Sequence, residues 1–262
     1  VIKVKKSEDL INFYSVIIGT ELLNGRRKDA HFAFLNKELL KRGWRHKASF
    51  VIEDDPKLME NIYNLIKADE NSVMFSFGGI GSTPDDLTRE VAGKVFRDGE
   101  MYFHEEAKAL IENQFKEEAY PHRINMSYLP KNAKLLDNIV NNVPGFYLDD
   151  RFFFTPGFPS MSQAMVLQAL DTYYCKNSVV KYRLSLTAAC GESDLIDIMK
   201  QVNSDEVELS SLPRFIDNHK RATVISLNST SKKAVEKYYD LFVQYLKTKR
   251  IDCFLEDIAK RD

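Results

Sequence analysis

Residues 78–90 read GGIGSTPDDLTRE, with glycines at Gly78, Gly79 and Gly81, a Thr83-Pro84 pair and two adjacent aspartates, Asp85 and Asp86. Glycine lets a backbone approach a ligand with no Cβ in the way, and amides at a helix start bind anions. The amides of residues 79–83, those of Ser82 and Thr83 included, are suited to cradle a phosphate. Two carboxylates make no sense as direct partners of that phosphate. They make sense if a divalent cation (Mg²⁺, Mn²⁺ or Co²⁺) lies between them and the phosphate oxygens. Asp85 and Asp86 are then the candidate metal ligands and catalytic groups. The alternative is a glycine turn in which one of the two aspartates caps the next helix. The spacing is not a Walker motif, because no Gly-Lys-Ser/Thr follows.

Three other segments are candidates for the same crevice. GTELLNGRRKDAH, residues 19–31, leaves a strand end, where open α/β sheets bind ligands. It offers Gly19, Glu21 and Asp29, although Asp29 is equally suited to cap a helix. EDDP, residues 53–56, adds Asp54 or Asp55, and Asp55 before Pro56 also reads as a helix N-cap. PGFPS, residues 156–160, supplies Pro156, Gly157 and Pro159 as a rigid wall or as a plain strand-to-helix turn. The five histidines show no ligand pair at helical spacing and read mostly as surface residues. Phe152, Phe153 and Phe154 read as core.

The elements that must hold these residues follow from apolar periodicity. FYSVII (13–18), ASFVIE (48–53) and SVMFSF (72–77) read as strands. A helix begins after Asp29, with Phe32, Leu35, Leu39 and Leu40 on one face, and ends at Gly43. Another runs from Pro56 to Ala68, with Leu58, Ile62, Leu65 and Ile66 on one side. A third runs to about Arg97, and a fourth covers about 105–116. The stretch from there to RFFF (151–154), a further strand, reads as irregular, and a helix then reaches about Tyr174. Strand-helix alternation argues for a mainly parallel sheet covered on both faces. The polar CKNS, residues 175–178, marks a boundary. Beyond it come a strand at 182–186, a helix capped by Ser193, strands at VELSSL (207–212) and ATVISL (222–227), a helix over 231–249 and a strand at 251–255. That βαββαβ order is ferredoxin-like.

The totals are those of a globular protein of one or two domains: 262 residues, 44% hydrophobic, 29% charged, net charge -1. Such a balance gives no argument for nucleic acid or a membrane surface. Three cysteines without metal-like spacing suit a reducing, cytoplasmic setting. No apolar run approaches the roughly 20 residues that span a bilayer. The N-terminal VIKVKKSEDL lacks the apolar core of a signal peptide.

Taken together, GTELLNG, DAH, EDDP, GGIGSTPDDLT, VPG and PGFPSMS resemble, in order, the motifs of the molybdopterin-binding-like domain of the CinA (competence/damage-inducible) family. The likeness covers about residues 13–171, and its TPDDLT block is highly specific. CGES (190–193) and SSLPRF (210–215) resemble the family's middle domain. The resemblance implies a three-layer α/β molybdopterin-binding-like domain over 13–175, then a small α+β ferredoxin-like domain over 179–257. It also implies a metal-dependent hydrolase of a nucleotide diphosphate bond, ADP-ribose pyrophosphatase-like or acting on FAD. The alternative is a non-catalytic module binding molybdopterin or a nucleotide. A superfamily motif aligns with Asp86, Thr88 and Glu90, and an upstream superfamily aspartate aligns with Asp55. Asp55 is thereby expected to hold metal or orient water, and Thr88 to contribute to binding.

Thr20, Ala30-His31, Ser82 and Met161 depart from the family pattern, and Thr20 removes one carboxylate. The family's C-terminal deamidase domain has no counterpart in these 262 residues, so nicotinamide mononucleotide deamidation is not expected. A homo-oligomer without nucleic-acid or membrane partners is expected.

Overall fold

The protein is described here by a computed structural model covering residues 11–177, 179–202, 205–216 and 220–255. The N-terminal segment 1–10, His219 and the 256–257 end of the second expected domain lie outside the described residues. The chain divides into two compact units, residues 1–178 and 179–262.

In the first unit, β1 (Asn12–Ile18) leads into a one-turn helix, α1 (Thr20–Leu23), followed by α2 (His31–Lys41), β2 (His46–Ile52), α3 (Pro56–Ala68), β3 (Ser72–Phe77) and α4 (Thr88–Phe96). Next come β4 (Met101–Phe103), α5 (Glu105–Phe115), β5 (Tyr128–Pro130), β6 (Lys134–Leu136), β7 (Gly145–Leu148), β8 (Phe152–Thr155) and α6 (Pro159–Tyr173). The six-stranded sheet has the order β2-β1-β3-β8-β7-β6. β2, β1, β3 and β8 run parallel, while β7 and β6 add an antiparallel edge.

Because β1 and β3 are buried along nearly their whole length, their side chains feed two cores in alternation. Tyr14, Val16 and Ile18 face Met59, Tyr63 and Ile66 of α3 and Val91 and Phe96 of α4. Phe13, Ile17, Phe75 and Phe153 face Leu35 and Leu39 of α2 and Met165 and Leu170 of α6. The result is a helix–sheet–helix sandwich. Phe152, Phe153 and Phe154 lie wholly within it.

Four expectations are corrected. On α2, Leu35 and Leu39 are buried but Phe32 and Leu40 are exposed, so the stripe is narrower than read. On α3 the buried stripe is Met59, Tyr63 and Ile66, with Leu58 and Leu65 exposed. Tyr63 can lie in the core because its hydroxyl pairs with Ser76 Oγ at 2.7 Å. The irregular stretch holds three short strands, and β4–β5 form a separate two-stranded sheet. Ser193 does not cap the helix after it; the Asp194 carboxylate accepts from the Gly191 amide there.

The second unit comprises β9 (Tyr182–Ala188), α7 (Ile196–Val202), β10 (Glu208–Ile216), β11 (Lys220–Ser229), α8 (Lys232–Lys249) and β12 (Cys253–Leu255). Its sheet order is β10-β11-β9-β12, with every neighbouring pair antiparallel. This is the ferredoxin-like arrangement. Ser231 caps α8 by accepting from the Ala234 amide. Among the described residues, no helix is long and apolar enough to cross a membrane.

Candidate functional site

The parallel strands β1, β3 and β8 end side by side, and each is followed by a glycine: Gly19, Gly78 and, one residue later, Gly157. A Cβ at Gly78 would lie 2.6 Å from the Ile18 carbonyl oxygen, and one at Gly157 would touch the Gly78 Cα. The carboxyl edge of the sheet is thus stripped of side chains and packed backbone to backbone. A cavity of about 490 Å³ opens there, a size suited to a small organic ligand rather than a lone ion.

One wall is the glycine loop. Gly78 and Gly79 have φ of +101° and +68°, a region that glycine enters freely. Thr88 fixes the loop from below: its Oγ1 donates to the Gly78 carbonyl and its amide to the Gly79 carbonyl, both at 2.9 Å. The carbonyls of Gly78 and Gly79 are thereby occupied. The amides of Gly79, Ile80, Gly81 and Ser82, in contrast, have no acceptor among the described residues. The Thr83 amide is spent on Asp86 Oδ2 at 2.9 Å, and the Thr83 hydroxyl donates to the same oxygen.

The cavity's aspartates come from two strand ends. Asp85 and Asp86 line the cavity beside the loop, and Asp54 lines it from the end of β2. Asp54 Oδ2 accepts from both the amide and the hydroxyl of Thr20. Among the described residues, no three His, Cys, Asp or Glu side chains converge to enclose a metal. The donor set fits a Mg²⁺-type ion held by one or two carboxylates and completed by ligand phosphate oxygens.

Arg27 brings positive charge to the cavity. Its Nη2 donates to the Gly157 carbonyl at 2.8 Å, Nη1 lies 3.6 Å from Glu21 Oε1, and the guanidinium stands over the Phe158 ring. The far wall is apolar, with Phe115, Met126, Val143, Phe158 and Met161, and carries the carboxamides of Asn138 and Asn141. Asn138 is buried and holds its loop together by donating to Asn141 Oδ1 and the Val143 carbonyl.

Of the residues singled out from sequence, Gly19, Glu21, Gly78, Gly79, Gly81, Thr83, Asp85, Asp86, Pro156 and Gly157 line this cavity. Asp55 does not: its carboxylate caps α3 by accepting from the Leu58 amide at 2.5 Å, and Asp54 faces the cavity instead. Asp29 also turns away, to cap α2 through the His31 and Phe32 amides. Thr88 lies beneath the loop, Pro159 is the first residue of α6, and Ser82 lines a neighbouring cleft. Arg27, Asn138 and Asn141 were missed. Arg27 had a signal, a cation nine residues after the first strand's end. The asparagines are brought in by the antiparallel edge, which left no readable pattern.

His31 is buried rather than exposed. Its ring packs on Phe77 at 4.6 Å, and Nδ1 lies 3.0 Å from Asp29 Oδ1. Burial pushes its pKa below the ordinary value, against the pull of Asp29. Burial pushes Asp29 upward, but the hydrogen bonds from His31 and Phe32 outweigh it and hold that carboxyl below its usual range. The pair is therefore a neutral imidazole donating to a carboxylate.

Residues 15–173 match the family model described as "Probable molybdopterin binding domain". A "Putative competence-damage inducible protein" of Clostridium botulinum (strain Loch Maree / Type A3) is 28% identical over 208 residues, 75% of this chain and 49% of that protein. A protein of Caldivirga maquilingensis is 27% identical over 239 residues, 85% of this chain and 90% of that one. The crystal structure of the protein CinA with unknown function from Thermoplasma acidophilum matches with a TM-score of 0.53 at 28% identity, covering 62% of this chain and 96% of that one. The chain spans about half the length of the clostridial relatives it matches.

Proposed function

The chain belongs to the family of probable molybdopterin binding domains and is CinA-like within it; on that premise we propose that its first unit binds a phosphorylated small molecule of the pterin or nucleotide type. The observation that carries this reading is the run of four amides, Gly79 to Ser82, lacking acceptors among the described residues: Gly79, Ile80 and Gly81 line the cavity, and Ser82 continues the run on its neighbouring cleft. Such a run meets phosphate oxygens well. The apolar wall of Phe115, Met126 and Phe158 suits a planar ring, and Arg27 adds a cation to the side lined by Gly157.

A divalent ion would be held by Asp86 and Asp85, with Asp54 lining the same cavity, and when bound it would screen the phosphate charge and lower the pKa of a coordinated water. The chain's own part is to position the phosphate on the loop, to orient Asp54 through Thr20, and to hold Asp86 through Thr83.

The three cavity aspartates, Asp54, Asp85 and Asp86, favour a second reading, hydrolysis of a nucleotide diphosphate. Water would add to one phosphorus and the P–O bond of the bridging oxygen would break. ADP-ribose would give AMP and ribose 5-phosphate.

A thermal-shift panel tests the first reading. ADP-ribose, FAD, AMP and a pterin phosphate should raise the melting temperature, while adenosine and unphosphorylated pterin should not. No shift with any phosphorylated compound, or equal shifts with and without phosphate, would overturn it. Product analysis of the same mixtures with Mg²⁺, Mn²⁺ or Co²⁺ decides the second.

A further inference from the structure

Arg89, the second residue of α4, lies beneath the glycine loop and is only 6% exposed. Its Nη2 donates to the Gly81 carbonyl at 3.0 Å, and its Nη1 donates to the Asn125 and Tyr128 carbonyls at 2.6 and 3.2 Å. Nε is buried with no hydrogen-bond partner among the described residues. Asp86 and Glu90 act on the guanidinium only through space, and it forms no ion pair among the described residues. Taking an arginine out of water without a carboxylate against it is costly. Three carbonyls need donors, but they do not need a charge, so packing alone leaves the cation unexplained.

The position of the Gly81 carbonyl supplies a reason. Its peptide unit ends in the Ser82 N–H, one of the four amides without an acceptor. A cation bonded to a peptide oxygen polarises that peptide and strengthens its N–H as a donor. Nη1 meanwhile fixes Asn125 and Tyr128, the residues on either side of the segment that contributes Met126 to the cavity wall. Arg89 therefore touches both walls from outside and never needs to reach the ligand.

We propose that Arg89 is a positioning residue whose buried charge, passed through the Gly81 peptide, strengthens the Ser82 amide toward a phosphate oxygen. This rests on the phosphate-binding reading above. Asp86 and Glu90 offset the charge only through space, and the ligand's phosphate adds a further counter-charge when it arrives.

Calorimetric titration of the full chain with inorganic pyrophosphate and with ADP-ribose tests it, on wild type, Arg89→Lys, Arg89→Gln and Arg89→Met. Melting temperature and circular dichroism without ligand monitor folding. The two neutral variants should bind at least tenfold more weakly, measured on whichever of them keeps the native spectrum. Arg89→Lys, which keeps the charge, should bind within about threefold of wild type. A neutral variant that binds like wild type would overturn the proposal, and so would Arg89→Lys losing as much as the neutral pair; a scaffold role predicts lower melting temperatures with unchanged affinities. Failure of wild type to bind either probe would instead remove the phosphate-binding reading on which the proposal stands.

Discussion

Thr20 gives both its donors to one oxygen: its amide and its hydroxyl lie 2.8 and 2.9 Å from Asp54 Oδ2. A residue that takes the place of an acid in the family pattern thus becomes the orienter of another acid. Hydrogen bonds to a carboxylate are worth roughly 1.5–3 kcal/mol when shielded. This one is open to solvent, so a discounted figure of about 0.5–1 kcal/mol is appropriate. Thr20→Ala keeps the amide bond and loses the hydroxyl. It should raise the Mg²⁺ concentration that half-saturates ADP-ribose binding by about two- to fivefold. An unchanged Mg²⁺ dependence would show that the orientation of Asp54 has no bearing on the metal.

Gly79→Ala is expected to destabilise the first unit. The residue sits at φ +68°, and a Cβ there would lie 2.4 Å from Thr88 Oγ1. Strain of this kind costs on the order of 1–3 kcal/mol, and each kcal/mol lowers the melting temperature of a domain this size by about 2–4 °C. Calorimetric melting measures it. A melting temperature equal to that of wild type would mean that the Thr88 clamp yields freely.

β1, β3 and β8 were legible because they are buried on both faces, so their apolar runs are nearly unbroken. The helix faces were less so. On α3 an apolar stripe through Leu58 and Leu65 fits the spacing as well as one through Met59 and Tyr63. Only the Ser76 hydroxyl, on a neighbouring strand, makes Tyr63 the better core residue. In the site, contiguous motifs were readable and assembled ones were not: the glycine loop lies in one stretch, whereas Asn138 and Asn141 arrive from the antiparallel edge. Asp54 and Asp55 differ by one position, and Pro56 held the clue, since the residue before a helix-starting proline is where a cap belongs. The strands between 116 and 151 are three or four residues long, too short for a period to show.

Acid should weaken the first unit through the buried His31 and the half-buried His46. Burial lowers the pKa of His31 and of His46 below the ordinary 6.5. Unfolded, both take up protons near that value; folded, they resist. The stability they contribute is present above pH 6.5 and is lost as pH falls below it. The melting temperature should therefore drop between pH 7 and 5.5, and His31→Gln should flatten the slope whatever it does to the absolute value. An identical slope in the variant would exclude His31 as a contributor.

Asp86→Asn gives opposite signs for the two roles of this carboxylate. Asparagine can still accept the Thr83 bonds, so the loop should keep its shape. If Asp86 shares a cation with the phosphate, ADP-ribose affinity in Mg²⁺ should fall by about tenfold, ~1.4 kcal/mol. If it only caps the turn, removing a negative charge beside an anion should raise affinity with or without Mg²⁺. Calorimetry in Mg²⁺ and in EDTA separates the two, and we expect the fall, seen only in Mg²⁺.

The most direct measurement follows the amide resonances of Gly79, Ile80, Gly81 and Ser82 in ¹⁵N-labelled protein during titration with ADP-ribose and, separately, with adenosine. Phosphate oxygens on those N–H groups should move all four resonances in a saturable way with ADP-ribose and leave them in place with adenosine. Binding of ADP-ribose with those four signals unmoved, or equal movement with adenosine, would contradict the assignment of the glycine loop as the phosphate site.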